Sequence, residues 1–401
     1  MKSLKVKVLL TAVVIAFSGC QGGDKARPDD KAVITANEKS SAEELVASTE
    51  QLITPYSFML AYRIAEMAVK KDPSNLKAKF YSLFLKRFEA FRGIAMRVRP
   101  MLSVDQNQQL DKSIAETPSS PLKDFLLAAG PEIKNEADAQ LLIENYFSAV
   151  GEFRKFLKDN ENAEFSVNFN PYVFQQPIRK EVAATYQAKE ENGAITVNME
   201  KTISSSKKLN NADLIVIRQM EGFELLYGSL FYSYDFSGIS KLKGRKFNSK
   251  QEVIDALYAT PEFGKLRQNH GFSELHNLGS DYSAAVHWLL DSQAQVCPEG
   301  GAVREGYAIA RLCVKDAKET NRVLALLDSA LKGVVEVDNS NLQAKVKMDF
   351  FAWSKTPVSD LRNIIPKLDS HDCAQSIQDN TFGGVFVDNN ASAALFKACA
   401  P

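Results

Sequence analysis

The sequence predicts a mostly α-helical fold built of antiparallel helix pairs, and three observations carry that prediction. Beyond about residue 41, apolar residues return at intervals of three and four over most of the chain. A hydroxyl residue followed by proline recurs at Thr54-Pro55, Ser120-Pro121, Thr260-Pro261 and Thr356-Pro357, which is the signature of a helix N-cap and first turn. The connections between these stretches are short, and short connections favour antiparallel neighbours.

The elements follow in order. After Thr54-Pro55, the residues Phe58, Ala61, Ile64, Ala65 and Ala68 mark one buried stripe that ends at Lys70-Lys71, whose charges suit the negative end of a helix dipole. A second helix is expected from about Asn75, with Leu76, Phe80, Leu83, Phe84, Phe91 and Ile94 inside, stopping by Arg99 because Pro100 follows. Further helices are expected over roughly 138–158, 211–233, 250–258, 280–294, 302–312, 316–336, 341–354 and 391–398. One segment changes period. Phe165, Val167 and Phe169 alternate with polar residues, as do Ile195, Val197 and Met199, so the region 161–205 reads as a β-containing insertion, with a small β-ribbon near 165–199 and a short helix between the strands. The body thereby divides into an N-terminal helical region at 41–160, this insertion, and a C-terminal helical region at 206–401.

The N-terminus carries a different kind of information. Lys2, Lys5 and Lys7 precede an uncharged run from Val8 to Phe17 that is apolar except for Thr11, which is the pattern of a signal peptide over residues 1–19. Ten residues are about half of what a helix needs to cross a bilayer's hydrocarbon core. The next residues, Phe17-Ser18-Gly19-Cys20, resemble the bacterial lipobox. The resemblance implies that Cys20 is lipidated, becomes the mature N-terminus and anchors a lipoprotein in the cell envelope. Gln21 follows, where an aspartate would imply inner-membrane retention, so the outer membrane, with the body facing the periplasm, is the expected address. Residues 20–40 then read as a disordered tether, being polar, mixed in charge and without aromatics.

Without the three signal lysines the chain holds 46 basic and 49 acidic residues. That near balance argues against a nucleic-acid partner. The remaining cysteines, Cys297, Cys313, Cys373 and Cys399, form an even set in an exported chain, which predicts two disulfides. Of the three pairings, Cys297 with Cys313 and Cys373 with Cys399 close the shortest loops. The alternative of a four-cysteine zinc site lacks the usual close C-x-x-C pairs.

An internal similarity links two parts of the chain. Ala61-x3-Ala65-x2-Ala68-x4-Pro73, followed by Asn75 and Ala78, resembles the second helix of a tetratricopeptide repeat and the entry to the next unit. Asp338-Asn339-Ser340-Asn341-Leu342-Gln343-Ala344-Lys345 matches Asp72 to Lys79 at six of eight positions. The resemblance implies degenerate helical repeats over part of the chain, whose stacking would curve a surface suited to a protein partner.

No motif for a particular chemistry stands out. G-x-S-x-G, H-E-x-x-H and the phosphate-cradling glycine patterns are missing from the sequence. His270, Glu274, His276 and His287 cluster in sequence, but Gly271 interrupts the helix that would align His270 with Glu274, so capping or surface roles are expected, with His287 beside Trp288 packing at a helix interface, and no metal is assigned. The run from Ser240 to Lys250 carries five cations, Lys241, Lys243, Arg245, Lys246 and Lys250. The aromatic stretch from Phe223 to Phe236 covers more than one helix face, with Tyr227, Phe231 and Tyr232 as candidate ligand-lining residues. The leading expectation is a lipid-anchored, non-enzymatic helical scaffold for protein–protein interaction that needs no cofactor. The alternative is a small-molecule-binding or transporter-accessory lipoprotein with a pocket among its helices.

Overall fold

The computed structural model describes residues 31–169, 185–200, 207–242, 245–267, 271–294, 317–339, 344–365 and 377–387. Helices dominate them, and helix pairs pack against one another beside small antiparallel sheets. The chain divides into two compact units, one of Met1–Lys134 with Asn145–Leu214 and one of Asn135–Glu144 with Ile215–Pro401.

In the first unit, α1 (Ala42–Leu52) opens with a capping box in which Ser41 accepts from the Glu44 backbone while the Glu44 side chain accepts from the Ser41 backbone. The next helix, α2 (Phe58–Lys71), begins three residues later than Thr54-Pro55 predicts. The Thr54 hydroxyl is used in a tight turn instead, where it meets the Ser57 hydroxyl at 2.7 Å and accepts from the Tyr56 amide. Ala61, Ile64, Ala65 and Ala68 are all fully buried against α1 and against α3 (Leu76–Lys86). Between α2 and α3 the Asp72 carboxylate accepts from both the amide and the hydroxyl of Ser74, and Asn75 caps α3 by accepting from the Ala78 amide. This local turn chemistry holds the first repeat-like motif as a helix hairpin.

The single helix expected from Asn75 to Arg99 is broken. After α3 comes a 3₁₀ turn, Arg87–Phe91, and then the short α4 (Ile94–Arg97). The break sits at Gly93, which adopts φ +69° and donates its amide to the Phe125 carbonyl at 2.8 Å. A Cβ there would strike the Ala128 carbonyl, so the glycine permits a close backbone approach that continued helix would forbid. The unit continues through α5 (Val104–Glu116), α6 (Pro121–Leu127) and α7 (Glu136–Asp159), which contributes residues to both units. Ser120-Pro121 does start a helix, with Ser120 accepting from the Lys123 amide. Phe80, Phe84, Phe88 and Phe153 build an aromatic core over which the buried Arg87 guanidinium lies, 4.7 Å from the Phe84 ring centroid.

The β region departs from the expected ribbon. The strands β1 (Lys31–Ala36), β2 (Val167–Phe169), β3 (Gln187–Glu191), β4 (Ala194–Glu200) and β5 (Lys207–Leu209) form two sheets, one ordered β1-β4-β3 and one pairing β2 with β5. Of the segments expected as strands, Val167–Phe169 and 195–199 are strands, and they belong to different sheets. Asn192 and Gly193, both at positive φ, make the two-residue turn that commits β4 to β3. On its other side β4 pairs with β1, bringing Ile34 opposite Val197 with both buried. The stretch Lys31–Ala36, expected to be tether, is therefore a strand, because Ile34 and Ala36 alternate inward as β4 requires. Of the stretch between 169 and 195, where a short helix is expected, 170–184 lies outside the described residues, and 187–193 forms β3 and the turn into β4.

In the second unit, α8 (Asn211–Ser233) and α9 (Lys250–Tyr258) match the expected spans, and α8, like α7, contributes to both units. They are joined by α10 (Leu275–Ala294) and α11 (Ala317–Lys332). Beyond Gly333, at φ +149°, the expected helical continuation gives way to a hairpin of β6 (Val335–Asn339) and β7 (Ala344–Met348), followed by the short α12 (Ala352–Lys355). Of the second eight-residue match, Asp338, Asn339, Ala344 and Lys345 thus lie on paired strands and not on helices, while 340–343 lie outside the described residues. Val335, Val337, Val346 and Met348 alternate across the strand pair, and Val335 packs with Ala330 and Phe351. That period of two outweighs the shared D-x-S-N turn. Thr260-Pro261 and Thr356-Pro357 start no helix either. Gly264, at φ +80°, turns the chain so that Lys265 bridges to Asp360, and the Leu266 amide donates to the Ser359 carbonyl. The helices expected at 302–312 and 391–398 lie outside the described residues.

Candidate functional site

α8 turns charge inward and apolar side chains outward. Its buried face holds Leu214 and Ile217 together with Arg218 and Glu221, while Met220, Phe223, Leu226 and Phe231 are exposed. Phe223 is 45% and Phe231 56% exposed, although a phenylalanine is ordinarily turned inward. A charged face can pack inward only if its charges are compensated there. Arg218 Nη2 lies 3.0 Å from Asp281 Oδ1 of α10, with the two side chains 4% and 5% exposed. The Asn210 and Asp213 side chains cap the helix start reciprocally, each accepting from the other's backbone amide. Gln140 holds the other end, donating to the carbonyls of Phe231 and Tyr234. On the exposed side Phe223 meets only the edge of Tyr282 among the ring contacts of the described residues, at 5.2 Å between centroids, and Phe231 meets Phe236 at 6.1 Å.

A second polar cluster lies between α10 and α11. Ser283 and His287, one helical turn apart on α10, both engage Asp328: the Ser283 hydroxyl donates to Oδ1, and His287 Nε2 lies 2.8 Å from Oδ2. The Ser283 hydrogen bond, then that of His287, holds the Asp328 carboxyl below its usual range. The residue types are those of a hydrolytic triad, but their order is not. The carboxylate sits in the middle, so the serine proton points at the aspartate and not at an imidazole nitrogen that would take it up. The arrangement is a clamp between two helices.

The residues singled out from the sequence are dispersed. Tyr227 lies on α8, with its side chain outside the described residues. Phe231 and Tyr232, about 100° apart on the helix, face different ways: Phe231 points to solvent, and the half-buried Tyr232 carries its hydroxyl against Gly271, where a Cβ would collide with it. Burial, and then the nearby Glu274 and Glu144, push the Tyr232 pKa up. These two side chains do not share a wall. His270 lies outside the described residues. Glu274 is exposed and accepts from Asn277, while His276 Nε2 is occupied by the Leu331 carbonyl at 3.0 Å and its ring packs against Phe351. Among the described residues no three histidine, cysteine, aspartate or glutamate side chains are grouped to hold a metal. Cys20, Cys297, Cys313, Cys373 and Cys399 all lie outside the described residues.

In the first unit, α5 is unusual in another way. None of its thirteen residues is buried. A Ser103–Gln106 capping box, an Arg99–Asp111 ion pair at 2.5 Å and a hydrogen bond from Asn107 to the Arg99 carbonyl hold it. Arg218, Asp281, Asp328 and Gln140 are not marked by any local pattern, because their partners are remote in the chain. The one available signal was the double stripe of α8, with charged residues at the helical spacing of Leu214 and Ile217 and apolar residues at the spacing of Met220.

No protein-family model matches this chain, and no curated protein and no solved structure matches it.

Proposed function

We propose that this chain is a lipid-anchored protein of the cell envelope, held at the outer membrane through Cys20, whose helical body is a non-enzymatic scaffold for a protein partner. The observation that carries the reading is α5. An isolated helix of about 12–15 residues is marginal in water, and helices in proteins draw most of their stability from burying a face. This one is capped and braced by polar contacts, is only half-buried along the stripe Gln106, Asn107, Leu110 and Ile114, and leaves the rest of its surface open to a partner. Among the described residues no helix is long and apolar enough to cross a membrane, which is compatible with attachment by acyl chains. Two disulfides, Cys297 with Cys313 and Cys373 with Cys399, complete the proposal and accord with an oxidising compartment.

The test is affinity capture from detergent-solubilised envelopes, comparing the natural chain with Val104→Asp and with Gln109→Glu on α5. A protein recovered with the natural chain and lost with the α5 variants supports the scaffold. Equal recovery with all three chains, or a bound small molecule in place of a protein, overturns it. Metabolic labelling with palmitate is expected to mark the natural chain and not Cys20→Ala. Label that persists in that variant rejects the anchor.

A further inference from the structure

We propose that the exposed face of α8, together with the exposed cations Arg245 and Lys246 that follow it in the chain, is a seat for an anionic lipid bilayer surface. The helix turns Arg218 and Glu221 inward beside Leu214 and Ile217 and leaves apolar side chains outside. Arg218 is neutralised by Asp281 inside the unit, and what remains outside is Met220, Phe223, Leu226 and Phe231. Phe231 leans on Phe236, and Ile239, also exposed, opens a 3₁₀ turn, Ile239–Leu242, that leads into the cationic run. Five cations occupy residues 240–250 with no acidic residue among them, and both described side chains of that set, Arg245 and Lys246, are exposed.

Charge complementarity selects the occupant. An apolar helical face followed in the chain by exposed cations is the composition of segments that lie in the headgroup region, where apolar side chains enter the acyl boundary and cations meet anionic headgroups. A protein partner would have to match both features at once, whereas an anionic bilayer presents both complements at every point of its surface. The seat is independent of the Cys20 anchor and of α5, so it can fail while the scaffold reading stands.

The test uses the mature chain from residue 20 with Cys20→Ser, so that no acyl chain contributes, and vesicles of phosphatidylcholine with or without phosphatidylglycerol. Sedimentation with the vesicles is expected only when phosphatidylglycerol is present, and it weakens with salt. Arg245→Ala with Lys246→Ala is expected to reduce partitioning about tenfold or more. Phe223→Ser with Phe231→Ser is expected to reduce it about a hundredfold. All four positions are exposed, and unchanged circular dichroism confirms that the variants fold. A Phe231→Trp chain adds a direct readout, because its emission should shift to the blue and be quenched by brominated acyl chains. Absence of binding to the anionic vesicles, binding indifferent to both double variants, or a dimer that the phenylalanine variant dissociates would each overturn the proposal.

Discussion

Replacing Asp281 with leucine leaves the Arg218 guanidinium buried without its carboxylate, and this perturbation probes the inward-turned charge of α8 directly. Both side chains are about 95% buried, so solvent does little to screen the loss. Removing one partner of a buried pair costs about 3–5 kcal/mol, because the remaining charge stays desolvated. Arg218→Leu should cost a similar amount by stranding Asp281. Replacing both residues with leucine removes both desolvation penalties together with the attraction, so the double variant should recover most of the loss or exceed the natural stability. In a unit of roughly 200 residues each kcal/mol moves the midpoint by about 2–4 °C, so each single variant should melt about 6–20 °C lower. The assay is selective, since Trp288 and Trp353, the chain's two tryptophans, both belong to the second unit. Tryptophan fluorescence in urea therefore follows that unit, while circular dichroism follows the whole chain. Single variants that each lose less than about 1 kcal/mol, or a double variant that loses the sum of the two, would refute the reasoning.

Two further predictions concern other buried contacts. In the first unit the Tyr81 hydroxyl is fully buried and donates to Glu50 at 2.7 Å, while the Asn168 amide donates to it at 2.9 Å. Tyr81→Phe should cost about 1–3 kcal/mol, seen by circular dichroism with little change in the tryptophan transition. Burial, then the Glu50 carboxylate, raises the Tyr81 pKa above the ordinary 10.0. Its contribution is therefore complete below pH 10.0 and is lost above it, where the unfolded chain ionises first, and the phenylalanine variant should show a shallower alkaline decline. Asp328 has the opposite sign. The Ser283 and His287 hydrogen bonds lower its pKa from 3.8, so its stabilisation is present above that pH and disappears as the pH falls through the depressed value. Asp328→Asn should lower the melting temperature at pH 7 and reduce the natural chain's acid sensitivity below pH 4. Parallel acid profiles for the two chains would reject the clamp.

Several elements could be read directly from the chain because their causes are local. Ser120-Pro121 starts α6, and the spans of α8 and α9 follow from apolar period and cap residues that act within a few positions. The Asn192-Gly193 turn was also legible, since positive φ is what that pair supports, and reading it would have assigned β4 to β3. The break at Gly93 was not, because it depends on the Ala128 carbonyl coming to occupy the space of a missing Cβ. The pairing of β6 with β7 shows the same limit, as the D-x-S-N pattern found between two helices at 72–75 recurs in sequence where two strands pair, and packing of Val335 against Ala330 and Phe351 favours the strands.

The candidate site divides along the same line. By itself the sequence determined that this chain is mostly helical, that its 211–233 segment is a helix rich in aromatic residues, and that a cationic run follows it. Only the tertiary structure decided which face of that helix turns inward. An apolar face and a charged face are equally consistent with helical period, and burying the charged one becomes favourable only where Asp281, 63 positions from Arg218 along the chain, arrives to neutralise it.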